Sequence, residues 1–263
     1  MRILCDYLVV LGLLTKTAER YELTTDSQTF LNKKSPAYMG TAVDFLLSPS
    51  QVEPFQDVAA AIRNDGAVTG QGVIAPEHPS WVTFARAMAP LMALPAELLA
   101  DLLEVEQAAQ LRVLDIAAGH GLYGLALAKR NLYAEITAVD WANVLEVARE
   151  NAWAARVSER FHSLAGSAFA VEYGGDYDVV LLVNFLHHFA LATVEEVLHK
   201  VYLALRHGGR AAIVEFIPNE DRISPRVPAA FSIQYDDAPD HPSRRCLHIR
   251  GLRASLTNRG LCF

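Results

Sequence analysis

The chain has 263 residues, of which 52% are hydrophobic and 20% are charged. This composition is sufficient for a buried core in one or two domains, and it excludes a disordered chain. The formal net charge of −7 argues against a general nucleic-acid binder, because such proteins need clustered Lys and Arg to contact phosphates. We therefore expect a folded protein without a nucleic-acid partner.

The three cysteines, Cys5, Cys246 and Cys262, form no paired framework, and no His and Cys residues lie at metal-ligand spacing. We expect reduced thiols and no metal. Asp6 interrupts the apolar N-terminal run, and no run reaches the roughly 20 apolar residues of a membrane span. These features predict a soluble cytoplasmic protein with no membrane partner.

Residues 1–35 predict a helix, a hairpin and a second helix. Apolar residues at helical spacing run from Ile3 to Leu11, two short apolar segments surround a charged turn in 13–24, and Thr25 begins a cap for a helix at 28–31. This pattern resembles the end of a winged-helix module, truncated at its N-terminus. Arg2 is the only basic residue of the first helix, which favours a dimerisation module over the alternative, a DNA-binding regulator.

Residues 41–110 are helical in pattern, with loop signals at 48–50 and 66–79. We predict two apolar helices, Trp81–Leu94 and Pro95–Glu106, because proline is a favoured first helical residue.

From residue 111 onward, strand and helix patterns alternate. Strands are predicted at 112–116, 135–139, 177–184 and 210–216, and helices at 122–130, 144–155 and 193–205. Because the strands are almost continuously apolar, both faces of the sheet must be covered. The fold class is therefore α/β, a doubly wound Rossmann-like parallel sheet with helices on both faces.

Glycines follow the first of these strands, in the segment Asp-Ile-Ala-Ala-Gly-His-Gly at 115–121. Gly119 and Gly121 permit a tight turn and close approach of a ligand. Asp115 suits a cationic amino group, Asp140 can accept hydrogen bonds from two ribose hydroxyls, and Trp141 offers a flat surface to an adenine.

A dinucleotide site is the rival interpretation, because residues 119–124 satisfy Gly-x-Gly-x-x-Gly. It would make the protein an NAD-dependent oxidoreductase. Asp115 favours a methyl donor instead, since it lies at the strand end, four positions before the first of these glycines. The segments at 166–169, 177–189 and 207–216 also fit the methyl-donor interpretation.

Together these segments resemble class I S-adenosylmethionine-dependent methyltransferases, and most closely the small-molecule O-methyltransferases with an N-terminal winged-helix dimerisation domain. The resemblance covers residues 1–231. It implies a helical dimerisation region at 1–95, a donor-binding domain at 96–231, a homodimer, and a small aromatic or polyketide-like molecule as methyl acceptor.

The resemblance also implies the roles of individual residues. Ala117 replaces the more usual Gly of the family, and we expect a slightly shifted backbone with donor binding retained. His187 occupies the position of the catalytic base, although the family's Leu-His-Asp-Trp reads Leu-His-His-Phe here, a form in which the His can simply pack beneath the donor. Glu215, Glu195 and Glu196 are candidates to orient it. The implied donor-binding residues are Asp115, Ala117, Gly119, Gly121, Asp140, Trp141, Ser167, Ala168, Phe169 and Asn184, and the implied acceptor contacts are Phe84, Met88 and His188.

The resemblance stops after Phe231. Plausible codons for residues 236–252, read one nucleotide later, spell Met-Met-Leu-Pro-Thr-Thr-Pro-Ala-Gly-Asp-Ala-Tyr-Thr-Phe-Ala-Asp-Tyr, which matches the family's continuation. We interpret residues 232–263 as the product of a frameshift, which implies that the sheet lacks its last two strands.

Overall fold

The computed structural model describes residues 1–63, 77–106 and 108–231. Its helices are α1 (Arg2–Val10), α2 (Thr25–Phe30), α3 (Ala42–Leu46), α4 (Pro49–Val52), α5 (Val58–Arg63), α6 (Pro79–Leu103), α7 (Leu122–Arg130), α8 (Ala142–Ala154), α9 (Leu191–Ala204) and α10 (Arg226–Phe231). Its strands are β1 (Leu14–Thr17), β2 (Arg20–Leu23), β3 (Leu111–Ile116), β4 (Ala134–Asp140), β5 (Phe161–Ala165), β6 (Tyr177–Val183) and β7 (Leu205–Val214). Short 3-10 turns lie at Glu53–Phe55, Ser158–Arg160 and Leu186–His188.

Five parallel strands form the central sheet in the order β5-β4-β3-β6-β7. Successive residues of β3 face opposite sides: Val113 packs in the core that includes α6, α7 and α8, whereas Leu114 packs in the core that includes α9. The predicted doubly wound α/β fold is confirmed. The chain reverses its winding direction between β3 and β6, and ligands of such sheets bind beyond the strand ends at this switch point.

The N-terminal region has the predicted order of helix, hairpin and helix. Strands β1 and β2 pair antiparallel from Leu14–Leu23 to Thr17–Arg20. The cap of α2 is Thr24 rather than Thr25, since the Thr24 hydroxyl accepts a hydrogen bond from the backbone N–H of Ser27 at 3.3 Å.

The prediction of two helices at 81–94 and 95–106 is wrong, because α6 runs unbroken through Pro90 and Pro95. The buried side chains recur every three or four residues along its whole length: Ala85, Met88, Met92, Ala96, Ala100 and Leu103. This continuous apolar stripe packs in the main core, mostly against α3, α7 and α8. Its burial offsets the cost of about 3 kcal/mol that a proline imposes on a helix interior.

Helix α6 is also long and apolar enough to cross a membrane, with 25 residues and a mean hydropathy of 1.3 over its most apolar window. In this structure 28% of that window is buried, and α6 contacts neighbouring helices of the domain. Arg86 forms a two-pronged ion pair with Glu150 of α8 at 2.6 and 2.8 Å, and Arg130 of α7 pairs with Glu97. One face of α6 thus packs against the domain, and its charged side chains form ion pairs with neighbouring helices.

One predicted strand boundary needs correction, and one strand was missed. Strand β5 was not predicted, and β7 begins at Leu205 rather than at 210, with a register irregularity near the start of its pairing with β6. The predicted domain boundary at residues 95 and 96 falls inside α6. Most of the predicted loop at 66–79 and the proposed frameshifted segment at 232–263 lie outside the described residues.

Candidate active site

Asp115, near the carboxyl end of β3, is a carboxyl group held out of water. It is 2% exposed, and its Oδ2 accepts a hydrogen bond from the backbone N–H of Gly124 at 3.2 Å. Burial raises its pKa to about 7, the Gly124 N–H opposes this rise, and the nearby Asp140 adds to it. No cationic side chain pairs with Asp115 among the described residues, so the carboxylate is suited to a cationic ligand group.

The loop after β3 turns sharply through three left-handed residues. The φ angles are +55° at Ala117, +56° at Gly119 and +74° at Gly121, and the backbone N–H of Gly121 donates to the carbonyl of Ala118 at 2.8 Å. Gly121 also lies close to α8, where an added Cβ would be 3.1 Å from the Cβ of Ala148. Ala117 adopts a conformation that normally favours glycine.

Asp140, at the end of β4, bonds directly to this loop. Its Oδ2 accepts a hydrogen bond from the N–H of Gly119 at 2.8 Å, and its Oδ1 accepts one from the N–H of Trp141 at 2.7 Å. Burial raises the pKa of Asp140 to about 6, and the two N–H groups oppose the rise. The two strand-end carboxylates therefore flank one loop.

Trp141 begins α8 and packs in a small apolar cluster. Its neighbours there include Trp81 and Ala85 of α6 and Val144 of α8. The indole Nε1 of Trp81 is buried and has no hydrogen-bond partner among the described residues.

The turn at Gly166–Phe169 follows β5 and lies beside Asp140. The Gly166 N–H donates to the Asp140 carbonyl at 2.9 Å, and the Ser167 hydroxyl accepts a hydrogen bond from the Phe169 N–H at 3.3 Å. Ala168 is buried, and the ring of Phe169 packs edge-on against Phe189 at 4.9 Å. The predicted residues of β3, β4 and β5 are thus brought together at one edge.

Asn184 follows β6 with a left-handed φ of +50°. Its N–H donates to the carbonyl of Val214 at 2.8 Å, and its side-chain amide lies 3.9 Å from the sulfur of Met92. The hydroxyl of Tyr123 contacts the same sulfur at 3.7 Å. Met92 and Tyr123 were missed in the sequence because each reads as an ordinary apolar residue of a helix.

His187 and Glu215 form a buried pair at the ends of β6 and β7. The His187 Nδ1 lies 2.6 Å from Oε2 of Glu215, whose side chain is only 1% exposed. The other oxygen, Oε1, accepts hydrogen bonds from the N–H groups of Phe185 and Leu186 at 2.8 and 2.7 Å. Of the three predicted glutamates, Glu215 is the one that this contact joins to His187.

His188 contacts α6, and Phe84 belongs to this helix. The His188 ring contacts Trp81 edge-on at 5.8 Å, and burial, reinforced by His187, lowers its pKa to about 3. Phe84 packs edge-on against Phe45 at 5.0 Å, and Met88 is buried in the main core. His188 is consequently neutral at physiological pH.

Two comparisons with known proteins, one over part of the chain and one over the whole chain, agree on the family. Residues 113–209 match the model of a methyltransferase domain. A candidate O-methyltransferase from Nostoc punctiforme, of known structure, is 48% identical with a TM-score of 0.92, and the match covers 100% of this chain and 78% of that one.

Two curated relatives match shorter segments. Demethylmenaquinone methyltransferase of Thermus thermophilus is 35% identical over 109 residues, which are 41% of this chain and 48% of the relative. A 3-hydroxy-5-methyl-1-naphthoate 3-O-methyltransferase of Streptomyces sahachiroi is 28% identical over 122 residues, 46% of this chain and 35% of the relative. These matches span about half the length of the curated relatives or less.

The sheet order, the carboxylates that flank the glycine loop, and the extended match to the Nostoc protein agree with one another. The dinucleotide interpretation of residues 119–124 is therefore set aside. This chain belongs to the S-adenosylmethionine-dependent O-methyltransferase family.

Proposed function

We propose that this protein transfers the methyl group of S-adenosylmethionine to a hydroxyl of a small aromatic or polyketide-like molecule, with His187 as the general base. The observation that carries the proposal is the contact of 2.6 Å between His187 Nδ1 and the buried Glu215 carboxylate. A base fixed in this way lies at the sheet edge that also carries Asp115 and Asp140. Glu215 acts through His187 and is a positioning residue.

The donor fits the polar groups at the ends of β3, β4 and β5. Asp115 would pair with the amino group, and Asp140 would accept hydrogen bonds from the ribose hydroxyls. The glycine loop at 117–121, Trp141, the turn at 167–169 and Asn184 would enclose the remainder. When bound, S-adenosylmethionine supplies a methyl group that is already activated for displacement, so the protein mainly orients the acceptor and excludes water.

His187 would remove the proton of the acceptor hydroxyl. In the tautomer with a proton on Nδ1, that N–H donates to Glu215, and the lone pair lies on Nε2. Glu215 stabilises the imidazolium that forms when Nε2 takes the proton. Its other oxygen remains bonded to two backbone N–H groups, so the carboxylate is fixed in position throughout.

The acceptor would lie between His187 and α6, against Phe84, Met88 and His188. The aromatic rings in this region, together with a neutral His188, favour an aromatic acceptor over a charged one. The Streptomyces relative is named for a hydroxynaphthoate acceptor, which supports the same class of molecule.

Titration calorimetry with S-adenosylhomocysteine tests the donor half. We expect binding to the wild-type chain and a loss of at least about tenfold in Asp140→Ala, since the ribose would lose a charged hydrogen-bond partner. The absence of binding in a wild-type protein with an intact circular-dichroism spectrum would contradict the proposal.

Methyl transfer from a radiolabelled donor to 3-hydroxy-5-methyl-1-naphthoate and other hydroxyarenes tests the base. We expect His187→Gln to lower kcat by about 10²- to 10⁴-fold while the Kd for S-adenosylhomocysteine stays within about twofold. His199→Gln, at an exposed position of α9, is the matched control. If His187→Gln retains wild-type kcat, His187 is not the base and only packs beneath the donor.

We also propose that residues 1–95 form a dimerisation region, that residues 96–231 form the donor-binding domain, and that the protein acts as a cytoplasmic homodimer. Apolar side chains exposed along α1 support the dimer.

A further inference from the structure

The side chain of Lys200, on α9, reaches the turn that follows β5 and bonds to three of its carbonyl oxygens. The ammonium Nζ donates to the carbonyls of Ala168 at 3.1 Å, Phe169 at 2.8 Å and Val171 at 2.9 Å. An ammonium has three N–H bonds, so these three acceptors use its whole donor capacity. Lys200 is half-buried, and nothing in the sequence distinguished it from a surface lysine of an amphipathic helix.

Tyr173 contacts both the ammonium and the turn. Lys200 Nζ lies 4.4 Å from the centroid of the Tyr173 ring, a cation–π contact. The Tyr173 hydroxyl donates to the carbonyl of Ala168, so that oxygen accepts two hydrogen bonds. The carbonyl groups between residues 168 and 171 are therefore held by hydrogen bonds from two side chains, the Lys200 ammonium and the Tyr173 hydroxyl.

The opposite end of this turn bonds to the backbone of Asp140. Gly166 donates to the carbonyl of Asp140 at 2.9 Å, with φ of +141° and no room for a Cβ, which would lie 2.7 Å from Val171. The backbone N–H groups of Ala170 and Val171 both donate to the carbonyl of Ser167, which closes the turn. The turn is therefore bonded to the end of β4 at Gly166 and to α9 through Lys200.

From these contacts we infer that Lys200 is a positioning residue for recognition of the adenosyl group. Its ammonium binds the carbonyl groups of the turn and so holds residues 167–169 in the position in which they would contact the adenine. The inference rests on the proposed function, in which this turn flanks the adenine. Lys200 does not reach the reacting methyl group, so its loss affects donor binding and leaves the methyl-transfer step unchanged.

The test measures donor binding and turnover in Lys200→Met, which keeps a flexible apolar side chain and removes the ammonium, together with its three hydrogen bonds and its cation–π contact with Tyr173. We expect the Kd for S-adenosylhomocysteine and the KM for S-adenosylmethionine to rise about tenfold with kcat unchanged. Lys200→Arg retains the charge and is expected to recover part of this loss. Lys129→Met, on an exposed face of α7, removes the same charge elsewhere and is expected to bind like wild type.

Tyr173→Phe gives a second, milder variant in case Lys200→Met folds poorly. It removes one of the two hydrogen bonds to the Ala168 carbonyl and keeps the ring, and we expect a rise of about threefold in the same Kd. If both variants bind S-adenosylhomocysteine as tightly as wild type at a temperature well below their Tm, Lys200 has a purely structural role and the inference is wrong. If wild type itself does not bind, the proposed function fails instead.

Discussion

Asp115 is a carboxyl group buried away from water, and its protonation should control donor binding. Its carboxyl is buried with one N–H partner, and burial raises its pKa to about 7 from an ordinary value of 3.8. The proposed partner is the cationic amino group of the donor, which stabilises the ionised form. Binding and deprotonation of Asp115 are therefore linked.

We predict that the affinity for S-adenosylhomocysteine rises about tenfold between pH 6 and pH 8, because the ionised fraction of a group with a pKa of 7 rises by that factor. Since the pKa is raised in the folded state, the unliganded protein loses stability as the pH rises from about 4 through 7. Bound ligand offsets this loss, so the increase in Tm on adding ligand should grow over the same interval. Calorimetry and thermal melts across this range measure both effects.

Asp115→Asn is the control for this prediction. The amide is close in shape to the carboxyl, keeps an oxygen for the Gly124 N–H and carries no charge, so affinity should be low and nearly independent of pH above 7. A residual dependence at lower pH is expected from Asp140, whose pKa is raised to about 6. A wild-type affinity that stays flat from pH 6 to 8 would contradict the role of Asp115.

Ala117 is a second residue whose local conformation leads to a prediction. Its φ of +55° places a Cβ in the left-handed region, at a cost of about 1 kcal/mol. Ala117→Gly should therefore raise the free energy of unfolding by about 1 kcal/mol, measured by urea denaturation. Ala118→Gly, at a neighbouring residue without a positive φ, should lower it by a similar amount. Equal losses in both variants would show that the backbone at 117 is not strained.

At the residue level, the sequence could predict which side chains of the site lie at the end of a strand. Asp115 and Asp140 are at strand ends, so the topology alone places them together. The partners of His187 and of the turn at 167–169 were not predictable in this way. Choosing Glu215 over Glu195 and Glu196, and noticing Lys200, requires the register of β7 and the rotation of α9 about its axis, which local patterns do not specify.

At the level of elements, α6 shows how packing overrides local propensity. Pro95 predicted a helix boundary, yet the apolar stripe continues through it and through Pro90, and the helix stays intact. Strand β5 is the opposite case, an element that forms although its local sequence pattern is weak, and it was not predicted. It lies at the edge of the sheet and carries exposed His162 and Ser163, so it lacks the long apolar run that identified its buried neighbours.

Pro90 is exposed and costs α6 one backbone hydrogen bond, the bond to the carbonyl of Arg86. Pro90→Ala should restore this bond and raise the free energy of unfolding by about 1 to 3 kcal/mol. Ala93→Gly, at another exposed position of the same helix, should lower it by about 1 kcal/mol and serves as control. If Pro90→Ala is instead destabilised, Pro90 contributes to the packing of α6 in a way that outweighs the lost hydrogen bond.

At the scale of the whole molecule, the doubly wound parallel sheet follows from the sequence, because alternating strand and helix patterns with right-handed crossovers permit few topologies. The surface was harder to predict. Helix α1 has no buried residue, and its apolar side chains include Ile3 at 87% and Val10 at 81% exposure. These side chains occupy positions i and i+7, so they share one face of the helix.

A second copy of the chain is the partner proposed for this face of α1, and its removal provides the last prediction. Sedimentation velocity should give a particle of twice the chain mass for the wild type at micromolar concentration. The double variant Ile3→Glu with Val10→Lys should be a monomer, because dimerisation would bury its charged side chains in an apolar interface and remove their hydration. Leu132→Glu, at a loop position that is 75% exposed, should stay dimeric. A monomeric wild type would remove the dimerisation role of α1. A dimer that survives the double substitution would move the interface elsewhere, with Leu98 and Leu102 of α6 as the next exposed apolar positions to change.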